Sequence, residues 1–452
     1  MVEGGSLKLL KKVLIANRGE IARRIIKTCY RLNIDTVAVY SDADSEAPFV
    51  NEATEAIHIG ESQAKKSYLD IEKIMNAAKE ANVDAIHPGY GFLSENPLFV
   101  ERCEEEDITF IGPNKETMEM MGSKLVSRQK MQEAGVPVVP GSDKELTSIE
   151  EAIDIANELT YPLMLKASAG GGGIGMKYIE NEDALVAAYE PTQQQAENFF
   201  SDGRLFLEKI IENPRHIEVQ VAADTHGNVV HLFERECSVQ RRHQKVVEEA
   251  SSALLDDDTR QALLDAAIKG VKHLGYRNVG TMEFIFDGDD NFYFLEMNTR
   301  LQVEHPVTEE ITDVDLVEWQ IDIASGEKLP LRQEEIKRSG HAIECRLYAE
   351  DPVTYFPSPG DITKLTLPEN IARYDFGILE GTKVTPFYDP MIGKIIVHDE
   401  TREAAIRKMV EVLDGIEVEG ITTNLTLLQR IMRAEQFTSG NYTTNFLEEI
   451  NK

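Results

Sequence analysis

Cysteine is scarce in this chain: Cys29, Cys103, Cys237 and Cys345 are the four, and no Cys-x-x-Cys occurs. That excludes a zinc ribbon and a disulfide framework, and it makes a reducing, cytoplasmic setting the expectation. No apolar run approaches the roughly 20 residues of a membrane span. The opening residues M-V-E-G-G-S lack the apolar core of a signal peptide. Cations are outnumbered, 47 Lys and Arg against 79 Asp and Glu, for a formal net charge of -32 at pH 7. That sign argues against nucleic acid or an anionic membrane as a partner. It also means that any phosphate site must be a local basic island. Two nucleotide fingerprints are missing, the G-x-G-x-x-G of dinucleotide folds and the P-loop G-x-x-x-x-G-K-[ST]. No internal repeat or low-complexity segment stands out.

What is there fits a soluble globular protein of two or three domains, with 452 residues, 42% hydrophobic and 28% charged. One stretch is unusual. Residues 291–306 read N-F-Y-F-L-E-M-N-T-R-L-Q-V-E-H-P. On an extended chain, residues two apart share a face. Glu296, Asn298, Arg300, Gln302 and Glu304 then stand on one side, and Met297, Thr299, Leu301 and Val303 on the other. His305-Pro306 is expected to stop the strand, because Pro lacks the ladder N–H. A half-exposed strand with salt bridges accounts for the alternation alone. Asn in mid-strand is disfavoured, however, and points to chemistry. A strand-like run at 280–286 precedes it, joined by the turn-rich D-G-D-D-N. The hairpin this predicts sets Glu283 beside Glu296 and Asn298. Such oxygen donors suit Mg²⁺ holding substrate phosphates.

From the N-terminus, strands at 13–16 and 36–40 flank a helix at 20–32, a βαβ start. The turn N-R-G-E has one glycine of the required three. A doubly wound sheet is therefore expected without a dinucleotide. Further strands at 84–87 and 108–111 flank the loop H-P-G-Y-G-F-L-S-E-N, with helices near 71–81 and 97–105. Residues 136–141, V-P-V-V-P-G, read as a linker and hinge. The strand at 162–166 ends in Lys166, and A-S-A-G-G-G-G-I-G follows. Glycine costs about 0.5–1 kcal/mol inside an element and is favoured where backbone must approach an anion closely. With a strand at 176–179 after it, this predicts a mobile hairpin over phosphates, with Lys166 on one of them. Alternating runs at 215–222 and 228–235 form a second hairpin. They lead to S-V-Q-R-R-H-Q-K, where Arg241, Arg242, His243 and Lys245 supply the basic island that an anionic substrate needs. Strict alternation sets Gln240 opposite His243 and Lys245, so periodicity alone does not converge them. Gly326 and Pro330 mark a boundary before a C-terminal α+β unit.

Taken in order, H-P-G-Y-G-F-L-S-E-N, G-G-G-G, R-R-H-Q-K and E-M-N-T-R-L-Q-V-E-H-P resemble biotin carboxylase, the ATP-grasp component of biotin-dependent carboxylases. The resemblance spans nearly the whole chain. It implies an α/β and α+β fold: an N-terminal doubly wound domain at 1–122, an ATP-grasp domain at 123–326 with a glycine-rich lid at about 139–210, and a C-terminal domain at 340–448. It implies that Lys124 and Lys166 bind ATP phosphates and that Gly172 and Gly173 belong to the lid. Glu208, Lys209, Ile210 and Ile211 would form the adenine–ribose edge, joined by His216, Gln240 and His243. Glu283, Glu296 and Asn298 would hold Mg²⁺ or Mn²⁺. Lys245, Arg300, Gln302 and Val303 would hold bicarbonate, Glu304 would be its base, and Arg346 would meet biotin's ureido oxygen.

Two departures matter. Ile174 stands in the lid where many relatives carry Lys or Arg. With T-P-F-Y-D-P-M at 385–391, it leans toward relatives that serve acyl-CoA carboxylases other than the acetyl-CoA enzyme. The biotin attachment motif A-M-K-M is absent. The resemblance therefore implies biotin on a separate carrier protein, a carboxyltransferase partner, and a homodimer through a face that includes Arg24. Four alternatives differ in class: a pyruvate carboxylase subunit, another ATP-grasp ligase, a nicotinamide-dependent dehydrogenase and a non-catalytic ATP sensor.

Overall fold

A computed structural model describes residues 7–168, 175–200, 202–288 and 291–450. The N-terminal run V-L-I is buried on both sides, as parallel strands covered by helices are. Val13 and Ile15 enter one core and Leu14 another. The sheet has five parallel strands in the order Glu55–Gly60, Asp35–Ser41, Lys12–Ile15, Ala85–His87, Thr109–Phe110. Strand order reverses between Lys12–Ile15 and Ala85–His87. Asn17 closes that switch point, its Nδ2 donating to the Pro88 carbonyl at 2.8 Å and the Tyr90 carbonyl at 2.7 Å. The loop 88–96 is thereby held at the strand ends, where open α/β sheets place ligands.

The second sheet is antiparallel and has eight strands. Their order is Phe292–Asn298, Asn278–Phe286, Arg215–Ala223, Val229–Arg241, Gln244–Ala250, His341–Tyr348, Met391–Asp399, Arg373–Phe376. The last three follow the boundary that Gly326 and Pro330 suggested, so one ladder joins the central and C-terminal parts. Four pairs carry it across, from Val247↔Cys345 and Glu248↔Glu344 to Glu249↔Ile343 and Ala250↔Ala342.

A third sheet, Met176–Ile179, Leu163–Ala167 and Leu205–Lys209, packs with the helices Ile149–Leu159 and Glu182–Phe200 around its own core. Strand alternation does the sorting. Leu163, Leu165, Leu205 and Leu207 enter that core, and Met164, Lys166, Phe206 and Glu208 line the cavity on the other side. The expected hinge is tied at both ends. Phe294 N–H donates to the Pro137 carbonyl and Lys209 N–H to the Pro140 carbonyl, both at 2.7 Å. Gly141 is required there, since a Cβ would meet the Leu207 carbonyl oxygen at 2.5 Å.

Two expectations are corrected. The strand Phe292–Asn298 ends before Thr299, and His305-Pro306 opens the helix His305–Thr312 instead of closing a strand. Proline is well tolerated in a first helical turn, where its missing N–H has no partner to lose. Glu304 is the N-cap residue of that helix. The basic cluster is a hairpin turn: Arg242 and His243 have φ of 47° and 63°, and Gln240 pairs with Lys245. Two central residues at positive φ match a two-residue turn. Alternation failed because the chain reverses there. Arg24 lies inside the chain, 6% exposed, donating to Glu309 at 2.7 Å and Asp315 at 2.9 Å.

Candidate active site

The second and third sheets and the loop 299–304 enclose a cavity of about 600 Å³. Every site residue the resemblance implied, among those described, lines it. Gly172 and Gly173 lie outside the described residues. The register Glu283↔Glu296 brings those two carboxylates side by side on the hairpin. His216 stands across the next strand pair, with Nε2 at 3.1 Å from Glu283 and Nδ1 at 3.2 Å from the Gln240 amide.

Lys245 is the electrostatic centre of one end. Its ammonium donates to Glu218 at 2.6 Å, Glu304 at 2.7 Å and Glu283 at 2.8 Å. Burial alone would lower its pKa, but the three carboxylates raise it well above the usual lysine value. The carboxylates respond in kind. Burial pushes Glu304 up, yet Lys245, Arg346 and Arg235 outweigh it and hold the group far below the carboxylate range. Glu283 is likewise held low, by Lys245 and His216 against burial. Arg346 donates to Glu304 at 2.8 Å. Beneath them lies Arg235, fully buried, donating to Glu218 at 2.6 Å and Gln302 at 2.7 Å. Gln302 in turn donates to Glu283 at 2.8 Å.

Arg300 is aimed by two partners, Glu95 at 2.9 Å and the Asn298 carbonyl oxygen at 2.8 Å. Glu95 comes from the Pro-Gly loop of the first sheet and also accepts the Thr299 N–H at 3.0 Å. That contact is what the loop contributes to the site. Val303 presents its carbonyl inward, to Lys394 at 2.8 Å.

The other end is less satisfied. Lys166 and Arg128 both reach Glu208, Arg128 at 3.5 Å. Lys209 turns its ammonium away, to Thr160 at 2.8 Å, so its backbone is what borders the cavity. Among the described residues, neither the Lys124 ammonium nor the Glu296 carboxylate has a hydrogen-bond or ion-pair partner. Burial and the neighbouring Lys166 lower the Lys124 pKa, and burial and Glu283 raise that of Glu296. A cation and a carboxylate that line one cavity, each without a hydrogen-bond or ion-pair partner, suit a phosphate chain and its divalent ion. Glu296 and Glu283 offer the hard oxygen donors that Mg²⁺ or Mn²⁺ takes. Asn298 is committed at both ends of its amide, to Glu283 and Arg300. His216, Glu218 and Glu283 also converge as a group able to hold a metal. The Lys245 ammonium already neutralises two of the three.

The basic island dissolves on inspection. Arg241 is buried, ion-paired with Glu350, and lies 4.7 Å from the Tyr348 ring centroid. Arg242 is exposed and stacks on Tyr355 at 5.6 Å. Only His243 and Lys245 of the four line the cavity. Glu218, Arg235 and Glu95 are functional neighbours that sequence reasoning missed. Glu218 had a signal, standing two residues from His216 on one strand, and Glu95 lies in the loop motif H-P-G-Y-G-F-L-S-E-N; a buried Arg235 had none.

Comparison with known proteins gives one family throughout. Residues 9–118 match the biotin carboxylase N-terminal domain, 123–332 the carbamoyl-phosphate synthase L chain ATP-binding domain, and 344–449 the biotin carboxylase C-terminal domain. The chain is 57% identical over 440 residues to a biotin carboxylase of Halalkalibacterium halodurans, covering 97% of each. A biotin carboxylase from Campylobacter jejuni, solved as a βγ-ATP complex, superposes with a TM-score of 0.95 at 48% identity, covering 98% of this chain and 99% of that one. The biotin carboxylase domain dimer of Hydrogenobacter thermophilus 2-oxoglutarate carboxylase, holding MgADP, ADP and bicarbonate, gives 0.94 at 49%, covering 98% of both.

Proposed function

The chain belongs to the biotin carboxylase family, and from that premise we propose that it carboxylates biotin carried on a separate carrier protein, using ATP and bicarbonate. The reaction would be the first half of an acetyl-CoA or other acyl-CoA carboxylase, with a carboxyltransferase taking the carboxyl group onward. The observation that carries this reading is the chain of contacts Lys245–Glu304–Arg346, which joins a general base to two cations at one end of a nucleotide-sized cavity.

The roles follow from charge and position. Lys124 and Lys166 meet the ATP phosphates, and the edge 208–211 with His216, Gln240 and His243 borders adenine and ribose. Glu283 and Glu296, assisted by Asn298, hold the divalent ion, which when bound neutralises charge on the β- and γ-phosphates. Lys245, Arg300, Gln302 and Val303 hold bicarbonate. Glu304 takes its proton, and the freed oxygen attacks the γ-phosphorus to give carboxyphosphate and ADP. Carboxyphosphate breaks to CO₂ and phosphate, and that phosphate takes the ureido N–H proton. Arg346 stabilises the oxygen of the deprotonated ureido group that captures CO₂.

A carboxylate held far below its usual range is a weak base. Substrates correct this. Bicarbonate draws Lys245 toward itself and biotin draws Arg346, and each loss of a cation returns basicity to Glu304. The base is therefore armed only when its partners have been traded.

Two tests bear on the reading. ADP release by the purified chain should require bicarbonate and rise with free biotin; turnover indifferent to both would point to another ATP-grasp reaction. An avidin blot of the chain should stay dark, since A-M-K-M is absent, and a positive blot would sink the separate carrier. We also assign a homodimer in the cytoplasm, and sedimentation showing monomer alone at micromolar concentration would refute the dimer.

A further inference from the structure

Behind Arg346 lies a group of charges that this chemistry does not use. Glu248, on Gln244–Ala250, and Glu344, on His341–Tyr348, face each other directly across the ladder. Both are fully buried, 0% exposed. Neither lines the cavity. No oxygen of Glu344 has a hydrogen-bond partner, and no cation lies in ion-pair reach of it, among the described residues. Lys394, the cross-strand neighbour of Arg346, goes elsewhere, to the Val303 carbonyl at 2.8 Å and Glu20 at 3.2 Å. Glu248 has one ion-pair partner among the described residues, the same Nη2 of Arg346 that donates to Glu304, at 2.5 Å and outside hydrogen-bond geometry.

The guanidinium is thus held between two carboxylates, Glu304 on the substrate side and Glu248 on the interior side. Two carboxylates facing each other in a dry interior cannot both stay ionised. Glu344, without a cation, is the one that keeps a proton, and Glu248 carries the charge that faces Arg346. The titration directions agree: burial, with Glu248 adding to it, raises Glu344 well above the carboxylate range. Burial lifts Glu248 only to about 7, because Arg346 opposes it.

We infer that Glu248 is a positioning residue for Arg346, anchoring the guanidinium from behind when biotin draws it off Glu304. Glu344 serves by being neutral. The inference rests on the reading above that Arg346 meets biotin. It goes beyond it in saying what keeps Arg346 aimed once its contact with Glu304 is given up. Without the rear anchor, the guanidinium would follow whichever carboxylate remained ionised and would lose its bearing on the ureido oxygen.

The test uses the full chain, ATP, Mg²⁺, bicarbonate and free biotin as the probe. Glu248→Gln keeps shape and removes charge. It should lower the biotin-dependent rate on the order of tenfold to a hundredfold, the effect of one charge-assisted contact. Bicarbonate-dependent ADP release without biotin should stay within about twofold, since Arg346 then remains on Glu304 and the rear anchor is not called on. Glu344→Gln, which resembles the protonated acid, should be close to wild type in both assays. In a double-mutant cycle, Glu248→Gln added to Arg346→Lys should cost little further, because Glu248 acts only through Arg346. Equal loss of both activities in Glu248→Gln, or multiplying losses in the double variant, would overturn the inference. A harmless Glu248→Gln beside a disabled Arg346→Lys would overturn it while leaving the role of Arg346 standing. An active Arg346→Lys would overturn both. Should Glu248→Gln not fold, Glu248→Asp withdraws the charge by one methylene and must show the same selective loss.

Discussion

The two ends of the cavity are charged in opposite ways. At one end Lys245, Arg346 and Arg235 pair with Glu304, Glu283 and Glu218, three cations with three carboxylates. At the other, Lys124 and Glu296 have no partner among the described residues. The difference teaches that the ends take ligand by different means. A phosphate and its ion add charges where none are matched. Bicarbonate and biotin must exchange places with contacts already made. Selectivity at the second end comes from that exchange, since a ligand that cannot replace what it breaks leaves buried charge uncompensated.

The comparison breaks most visibly at Glu304. Glu304→Gln should lower bicarbonate-dependent ATP turnover by about 10²–10⁴-fold, the range of a lost general base. ATP affinity, read by equilibrium binding, should change less than about twofold, because Glu304 makes no contact with the other end's lysines. Coupled losses of both would show that the ends are one unit.

A charge cluster outside the cavity provides the contrast. Glu249 adjoins Glu248 but faces the opposite way, accepting from His341 at 2.6 Å and Arg402 at 2.7 Å. Burial pushes its carboxyl up, but those partners hold it at about 2 against an ordinary 4.5. A depressed carboxylate contributes stability that is complete above its unfolded value and lost as pH falls through the folded one. The window therefore runs from about pH 4.5 down to about 2, and the shift is worth on the order of 3 kcal/mol. Glu249→Gln should flatten the acid limb of urea-measured stability between pH 6 and pH 3 and leave the KM for bicarbonate unchanged. An unaltered limb would mean that other carboxylates dominate it.

How much of this could be read beforehand varies with the physics. The hairpin that sets Glu283 against Glu296 was legible, because strand alternation and a turn-rich D-G-D-D-N are local signals. So was the doubly wound sheet, from short apolar runs separated by a helix. The path after Asn298 was not. Residues 299–304 keep an alternating pattern, yet Glu95 takes the Thr299 N–H and Pro306 starts a helix, so tertiary contact overrides period. The basic turn misled for a similar reason: charge content was visible, but not that Arg241 would sink against Glu350. Arg235 was illegible because a buried ion pair leaves no pattern along the chain. The continuous sheet across 326–340 was hidden too, since cross-strand pairing between distant segments has no local mark.

At the unmatched end, Lys124→Gln should weaken ATP binding by about ten- to a hundredfold, one charge-assisted phosphate contact. The KM for bicarbonate should stay within about twofold. Lys166→Gln sharpens the point, since Lys166 already pairs with Glu208. Its removal also frees that carboxylate beside the phosphates, so its loss should exceed that of Lys124→Gln. An equal or smaller loss would mean that Glu208 is satisfied by Arg128 alone.

The smallest effect is expected at the turn between the ends. Arg242 is exposed, its guanidinium on the Tyr355 ring and its Nη2 at 3.4 Å from the Thr354 carbonyl. Neither contact belongs to the cavity. Exposed charges act through water and salt and are worth little beyond about a Debye length, roughly 8 Å at physiological ionic strength. Arg242→Ala should therefore leave turnover and both KM values within about twofold at 0.15 M salt. At low salt a modest rise in the bicarbonate KM is the most that long-range attraction allows in a chain of net charge -32. A tenfold rise that persists at 0.15 M salt would show that the turn takes part in anion capture. In that case the sharp division between a matched and an unmatched end would give way to a graded one, with the basic turn as its middle.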